Sequence, residues 1–170
     1  FNVNEIHKVL RKLPENVDNL IYLAFMAYYL TSDESTQFAK TLSMSKGWVK
    51  IVTDTISLRS MVTELSINNL KPSMLFKYLS GYCYESILAN RLLTQSKVAK
   101  NRIGNYTNVL QYVKPDLSGL ELQKMGVPQG PLIAQFLSEI KDQKLDGKIK
   151  SKKQEEDLIK QKLFNPGSYQ

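Results

Sequence analysis

Nucleophilic catalysis needs a serine or cysteine within reach of a base that a third group orients. This chain has a single histidine, His7, and a single cysteine, Cys83. His7 sits in the N-terminal stretch with no partner signalled nearby and reads as an exposed or half-buried helix histidine. Cys83 follows Tyr82 in an apolar neighbourhood and reads as a small core residue. One of each excludes both an internal disulfide and the Cys/His cluster that structural zinc requires. The paired acids Asp33-Glu34 and the run Glu155-Glu156-Asp157 fall at helix starts, where they offset the helix dipole. There is no G-x-x-x-x-G-K-[ST] loop, and Lys46-Gly47 is no fragment of one. No Asp-x-Asp pair on a strand offers itself to Mg²⁺. No catalytic residue, metal ligand or resident cofactor is therefore expected in these residues.

Phosphate contact is a better prospect. Leu122-x-x-x-Gly126-Val-Pro-Gln-Gly130-Pro-Leu-Ile reads as a helix, a tight glycine-flanked turn and a second helix. Free N–H groups gather at a helix N-terminus, where the dipole is positive. Glycine lets a backbone approach closely because no Cβ intervenes. Pro128 and Pro131 remove two donors, which leaves the N–H groups of Val127, Gln129, Gly130, Leu132 and Ile133. Lys124 is close enough in sequence to add charge. The same residues also suit a plain helix–helix corner, with Gly as C-cap and Pro at the first helical position.

The charge is uneven. The 170 residues carry 23 Lys+Arg and 16 Asp+Glu, a net +7. Residues 1–70 hold seven of each sign, so the entire excess lies beyond them. Between Arg91 and Lys114 there are five basic residues (Arg91, Lys97, Lys100, Arg102, Lys114) and no acid. Such asymmetry fits a polyanionic partner or a solvated basic face. Tyr106 and Tyr112 interleave with these cations, although Tyr106 falls on the apolar stripe and is expected in the core. The lysines near the C-terminus are the weakest signal, since Glu155, Glu156 and Asp157 offset them.

The elements that must position these groups all read as helices. No stretch alternates apolar and polar with period two, glycines are few, and prolines sit at boundaries. Residues 15–30 are apolar almost all round and predict a central buried helix. Ser32 or Asp33 caps a short helix to about Leu42, and Ser45 starts a long one to about Leu65, with Trp48, Val49, Val52, Ile56, Leu58, Val62 and Leu65 inward. Pro72 and Gly81 bracket a compact helix. Another spans 83–93, with Tyr84, Ile87, Leu88 and Leu92 inward. From Ser96 to Val113 a helix should present Lys97, Lys100, Asn101, Gly104, Asn108 and Gln111 on one polar face, until Pro115 stops it. Ser118-Gly-Leu-Glu121 is a capping box that opens a two-turn helix. A long helix to about Gly147 and a last one from Ser151 follow. Asn165–Gln170 reads as a frayed tail. The expected fold is all-α: an irregular multi-helix body, 1–114, and a smaller helical tail unit, 115–170. The longest apolar run, Leu20–Leu30, is too short to cross a bilayer. That run also lacks the basic lead and small-residue cleavage site of a signal peptide, and the expected setting is cytoplasmic. Phe1 in place of Met suggests a piece of something longer.

From Pro115 onward a specific pattern emerges. Pro115-x-Leu117-x-Gly119-x-Glu121-Leu122-x-x-x-Gly126-x-x-x-Gly130-Pro131-x-Ile133-x-x-x-Leu137, then Leu145-Asp146-Gly147-x-Ile149 and Glu155, resembles the C-terminal region of bacterial tRNA nucleotidyltransferases and their poly(A) polymerase relatives, the CCA-adding and A-adding enzymes. The close match covers about a quarter of the chain. The resemblance implies a head with Mg²⁺-binding carboxylates, a neck with nucleotide-selecting Asp and Arg, a body and a tail. This chain would be body and tail alone, gripping the acceptor and T arms of tRNA. Nucleotide addition from CTP or ATP, with C, A or both added and pyrophosphate released, would belong to the missing head and neck.

The candidate RNA contacts are Arg91, Lys97, Lys100, Arg102, Lys114, Lys124, Gly126, Val127, Gln129 and Gly130. The expected function is a noncatalytic tRNA-binding region that places the 3′ end by backbone contacts and shape. The alternatives are a DNA-binding helix-hairpin-helix module and a helical protein-interaction scaffold.

Overall fold

The computed structural model describes residues 19–164. His7, residues 15–18 of the first expected helix, and the 165–170 tail lie outside the described residues. Within them every regular element is helical, as an all-α fold requires. The α-helices are α1 (Leu20–Ala27), α2 (Ser32–Thr41), α3 (Lys46–Ser60), α4 (Pro72–Leu79), α5 (Tyr84–Leu93), α6 (Lys97–Asn108), α7 (Gly119–Lys124), α8 (Pro131–Leu145) and α9 (Lys152–Phe164), with short 3₁₀ turns at Glu64–Ser66 and Leu110–Tyr112. The chain forms two compact units. Among the described residues, one comprises 19–70 with 77–107, the other 71–76 with 108–164.

In the first unit α1, α3 and α5 pack against one another, and α2 lies on α3. Ile21, Ala24 and Phe25 of α1, Ile51 of α3, and Leu88, Ala89 and Leu93 of α5 make one apolar cluster. The buried face of α3 runs Ile51, Val52, Thr55, Leu58. The expected inward Trp48 is instead 49% exposed, and Tyr84 of α5 is exposed as well. Both stand in the first turn of their helices, where the apolar stripe runs out past the neighbouring element. The long helix expected from Ser45 to Leu65 ends at Ser60 and resumes as the 3₁₀ turn that carries buried Leu65.

Between α3 and α5 lies a polar seam. The Thr55 hydroxyl donates to Ser86 Oγ at 2.9 Å, and Ser86 Oγ donates to the Ile51 carbonyl at 2.9 Å. Asn90 Nδ2 donates to the carbonyls of Thr55 and Ser86. Bonds of this kind offset the cost of burying polar groups, with Asn90 Oδ1 left unpartnered among the described residues, and they fix the register of the two helices. Cys83 precedes α5 with Sγ 2.9 Å from Ser86 Oγ. Burial raises its pKa above the ordinary thiol value, so at neutral pH it stays a thiol, consistent with a packing role.

In the second unit α8 packs on α7 and α9. Leu117, Leu122, Val127, Phe136, Ile140 and Ile159 form its core. The capping box opening α7 is complete: the Glu121 N–H donates to Ser118 Oγ, while the Ser118 N–H donates to the Glu121 carboxylate at 2.8 Å. The Leu145-Asp146-Gly147-x-Ile149 segment has a structural account. Leu145 and Ile149 are buried, and Gly147 takes φ +71°, a left-handed conformation that turns the chain out of α8. Asp146 reaches the first turn of α4, accepting from the Ser73 N–H at 2.9 Å and the Ser73 hydroxyl at 3.0 Å. Lys141 then stands over the Phe76 ring, its ammonium 3.7 Å from the centroid. Desolvation there lowers the Lys141 pKa.

Candidate nucleic-acid interface

The turn between α7 and α8 forms because two glycines allow it. Gly126 has φ +98° and Gly130 φ +137°, both in territory L side chains rarely adopt. A Cβ built on either would meet nothing within 4 Å. Conformation, not crowding, therefore demands glycine, and the same open space leaves the backbone approachable. Val127 anchors the turn with its side chain buried. Its N–H donates to the Leu122 carbonyl at 3.0 Å, and the Gly126 N–H donates to Gln123 at 2.9 Å. Both amides are thus spent on closing α7. The Ile133 N–H donates to the Gly130 carbonyl at 3.2 Å. The N–H groups of Gln129, Gly130 and Leu132 find no acceptor among the described residues. Three of the five donors expected from the sequence are left, at the positive end of a 15-residue helix. Gln129, Gly130 and Lys124 are exposed.

The acid-free stretch divides. Lys97 and Lys100 are exposed on the first turn of α6, whose start is capped by Ser96. The two arginines turn inward to hold the fold. Arg102 Nη1 donates to the carbonyls of Leu65 and Ile67, both at 2.7 Å, tying down the turn after α3. The Arg91 guanidinium lies across Gly104, so close that a Cβ there would stand 3.1 Å from Nη2, and it donates to Thr107 Oγ1. Gly104 is therefore buried and interrupts the polar face expected on α6. The helix also stops earlier than Pro115 requires, because Val109 leaves helical geometry at φ −132°. Tyr106 is buried as expected, while Tyr112 is 68% exposed. Lys114 is exposed in the second unit.

Glu155 is the residue whose role sequence reasoning missed. Its side chain is fully buried. Its carboxylate accepts from the Asp116 N–H at 3.0 Å, the Leu117 N–H at 2.9 Å and the Lys144 ammonium at 2.8 Å. Lys144 in turn bridges to Asp116 at 2.7 Å. Glu155 therefore holds the entry into α7 rather than offsetting surface charge. The two amides lie nearly forty residues upstream and Lys144 eleven, and no local spacing announces them.

On the surface beside it, Lys152 pairs with Glu121. That ammonium, with the Ser118 N–H and hydroxyl, holds the Glu121 carboxyl down to about 2. Glu121 and Lys124 of α7 and Glu156 and Lys160 of α9 line a cleft of about 280 Å³ floored by Leu117 and Met125.

Among the described residues no group of three His, Cys, Asp or Glu could hold a metal ion, and no helix is long and apolar enough to cross a membrane. No family model, no curated protein and no solved structure matches this chain.

Proposed function

We propose that this chain is a noncatalytic tRNA-binding region of a tRNA nucleotidyltransferase or poly(A) polymerase relative, positioning the acceptor and T arms by backbone contacts. The Mg²⁺-dependent addition of C or A from CTP or ATP belongs, on this reading, to head and neck segments of the parent. One observation carries the binding half. Uncommitted amides at the start of α8 lie in a turn bracketed by two glycines open to solvent, with exposed Lys124 two residues before it in the chain, an arrangement suited to a phosphate. The resemblance of the residues from Pro115 to Glu155 supports the parentage, and the charge excess beyond residue 70 supports a polyanion.

A-form RNA hides its bases from side chains, so such a unit reads shape and phosphate spacing. The test is fluorescence anisotropy with labelled tRNA across a salt series. Binding should weaken about 100-fold between 50 and 200 mM salt if roughly four phosphates are neutralised. An unstructured RNA of equal length should bind less tightly. Equal affinity for the two would remove shape reading. Tighter binding to duplex DNA would favour a helix-hairpin-helix DNA module instead.

A further inference from the structure

Residues 147–154, Gly-Lys-Ile-Lys-Ser-Lys-Lys-Gln, carry four lysines and no acid. Of the three acids that follow, half-buried Glu156 and exposed Asp157 share the solvent with these lysines and offset part of their charge. Glu155 does not. Its carboxylate is sealed in the second unit and already neutralised by Lys144 and two backbone N–H groups. Asp146, on the other side, is committed to Ser73. Among the described residues, Lys152 alone of the four lysines has an acidic partner, Glu121. Lys148, Lys150 and Lys153 are exposed and carry no ion pair among the described residues. Ile149 is buried between two of them and fixes the segment against the unit, so that Lys148 and Lys150 both turn to solvent.

We infer that Lys148, Lys150 and Lys153 form a second contact edge for the ribose-phosphate backbone of structured RNA. The inference rests on the reading above and deepens it. The edge follows the C-terminal end of α8, whereas the glycine turn precedes its N-terminal end. Fifteen residues at 1.5 Å each set the two about 22 Å apart along one helix. Two contacts at a fixed separation discriminate shape, which a single phosphate contact does not. Flexible single strands gain little from the second, because they must be ordered to reach it.

The experiment uses the full chain and fluorescein-labelled tRNA in a KCl series. The variant Lys148→Gln/Lys150→Gln/Lys153→Gln should lower the slope of log affinity against log salt by about 2, with about tenfold or greater loss of affinity near physiological salt. Substituting the same three with Arg should retain both, since charge and not packing is at issue. Lys40→Gln/Lys46→Gln, exposed cations of α2 and α3, should change neither. Adding Lys124→Gln to the triple variant should multiply the losses, because sites this far apart act independently. An unchanged slope in a triple variant that melts like the wild type would overturn the edge while leaving the tRNA reading standing. No tRNA binding by the wild type would overturn both.

Discussion

Glu155 and Glu121 show how differently two glutamates of one small unit can be used. Glu155 is wholly buried on two backbone N–H groups and an ammonium. Glu155→Ala leaves two amides unpartnered and Lys144 with Asp116 as its one carboxylate, and should cost about 3 kcal/mol, measured by urea unfolding. Glu155→Gln should cost less, because an amide oxygen still accepts from the amides. Glu121 is a surface group whose folded carboxyl is depressed from 4.5 to about 2, first by Lys152 and then by Ser118. A depressed carboxylate contributes stability above its unfolded pKa and loses it as pH falls through the folded one. The wild type should therefore lose this contribution between about pH 4.5 and 2, and Glu121→Gln should flatten that part of the melting profile. Sequence alone made Glu121 legible, since its capping partner Ser118 is three residues away. It left Glu155 opaque, since its two amide partners come from a distant loop and its ammonium from another helix.

Elements with local punctuation were readable. Pro72, the Ser118–Glu121 box and the Gly126–Pro131 turn are each written within a few residues, and α4, α7 and α8 start where those signals fall. Helix ends without a Gly or Pro stop were not. The long helices expected to reach Leu65 and Val113 break into an α-helix and a 3₁₀ turn, because tertiary anchors, Leu65 and Leu110, pull the chain off the helical path. Two of the five expected turn donors are lost for a related reason: α7 closes by taking the Val127 amide, and the Ile133 amide goes to the Gly130 carbonyl. At this scale Gly130→Ala should cost about 1–3 kcal/mol in thermal denaturation despite the open space around it, since φ +137° penalises any Cβ. Asp146→Ala, which strips the Ser73 cap, should cost about 1 kcal/mol.

For the molecule as a whole, an all-α fold was legible from periodicity alone, whereas the charge map was legible only in its sum. Counting placed the excess beyond residue 70 but not which cations reach solvent. Arg91 and Arg102 are occupied with Gly104, Thr107 and the turn after α3, so substituting them would confound binding with folding. Lys97 and Lys100 are clean probes. Lys97→Glu/Lys100→Glu should leave the melting temperature unchanged and weaken tRNA binding several-fold in the anisotropy assay. Unaltered binding would leave that face as solubilising charge.

The clasp of Asp146 on Ser73, with Lys141 over Phe76, bears on how this protein can be cut. The C-terminal unit draws in a hexapeptide, residues 71–76, from far upstream. A fragment beginning after Thr107 forfeits that piece and strands a carboxylate and an ammonium. Anyone isolating this half will need a circular permutation or an added peptide in trans rather than a simple truncation.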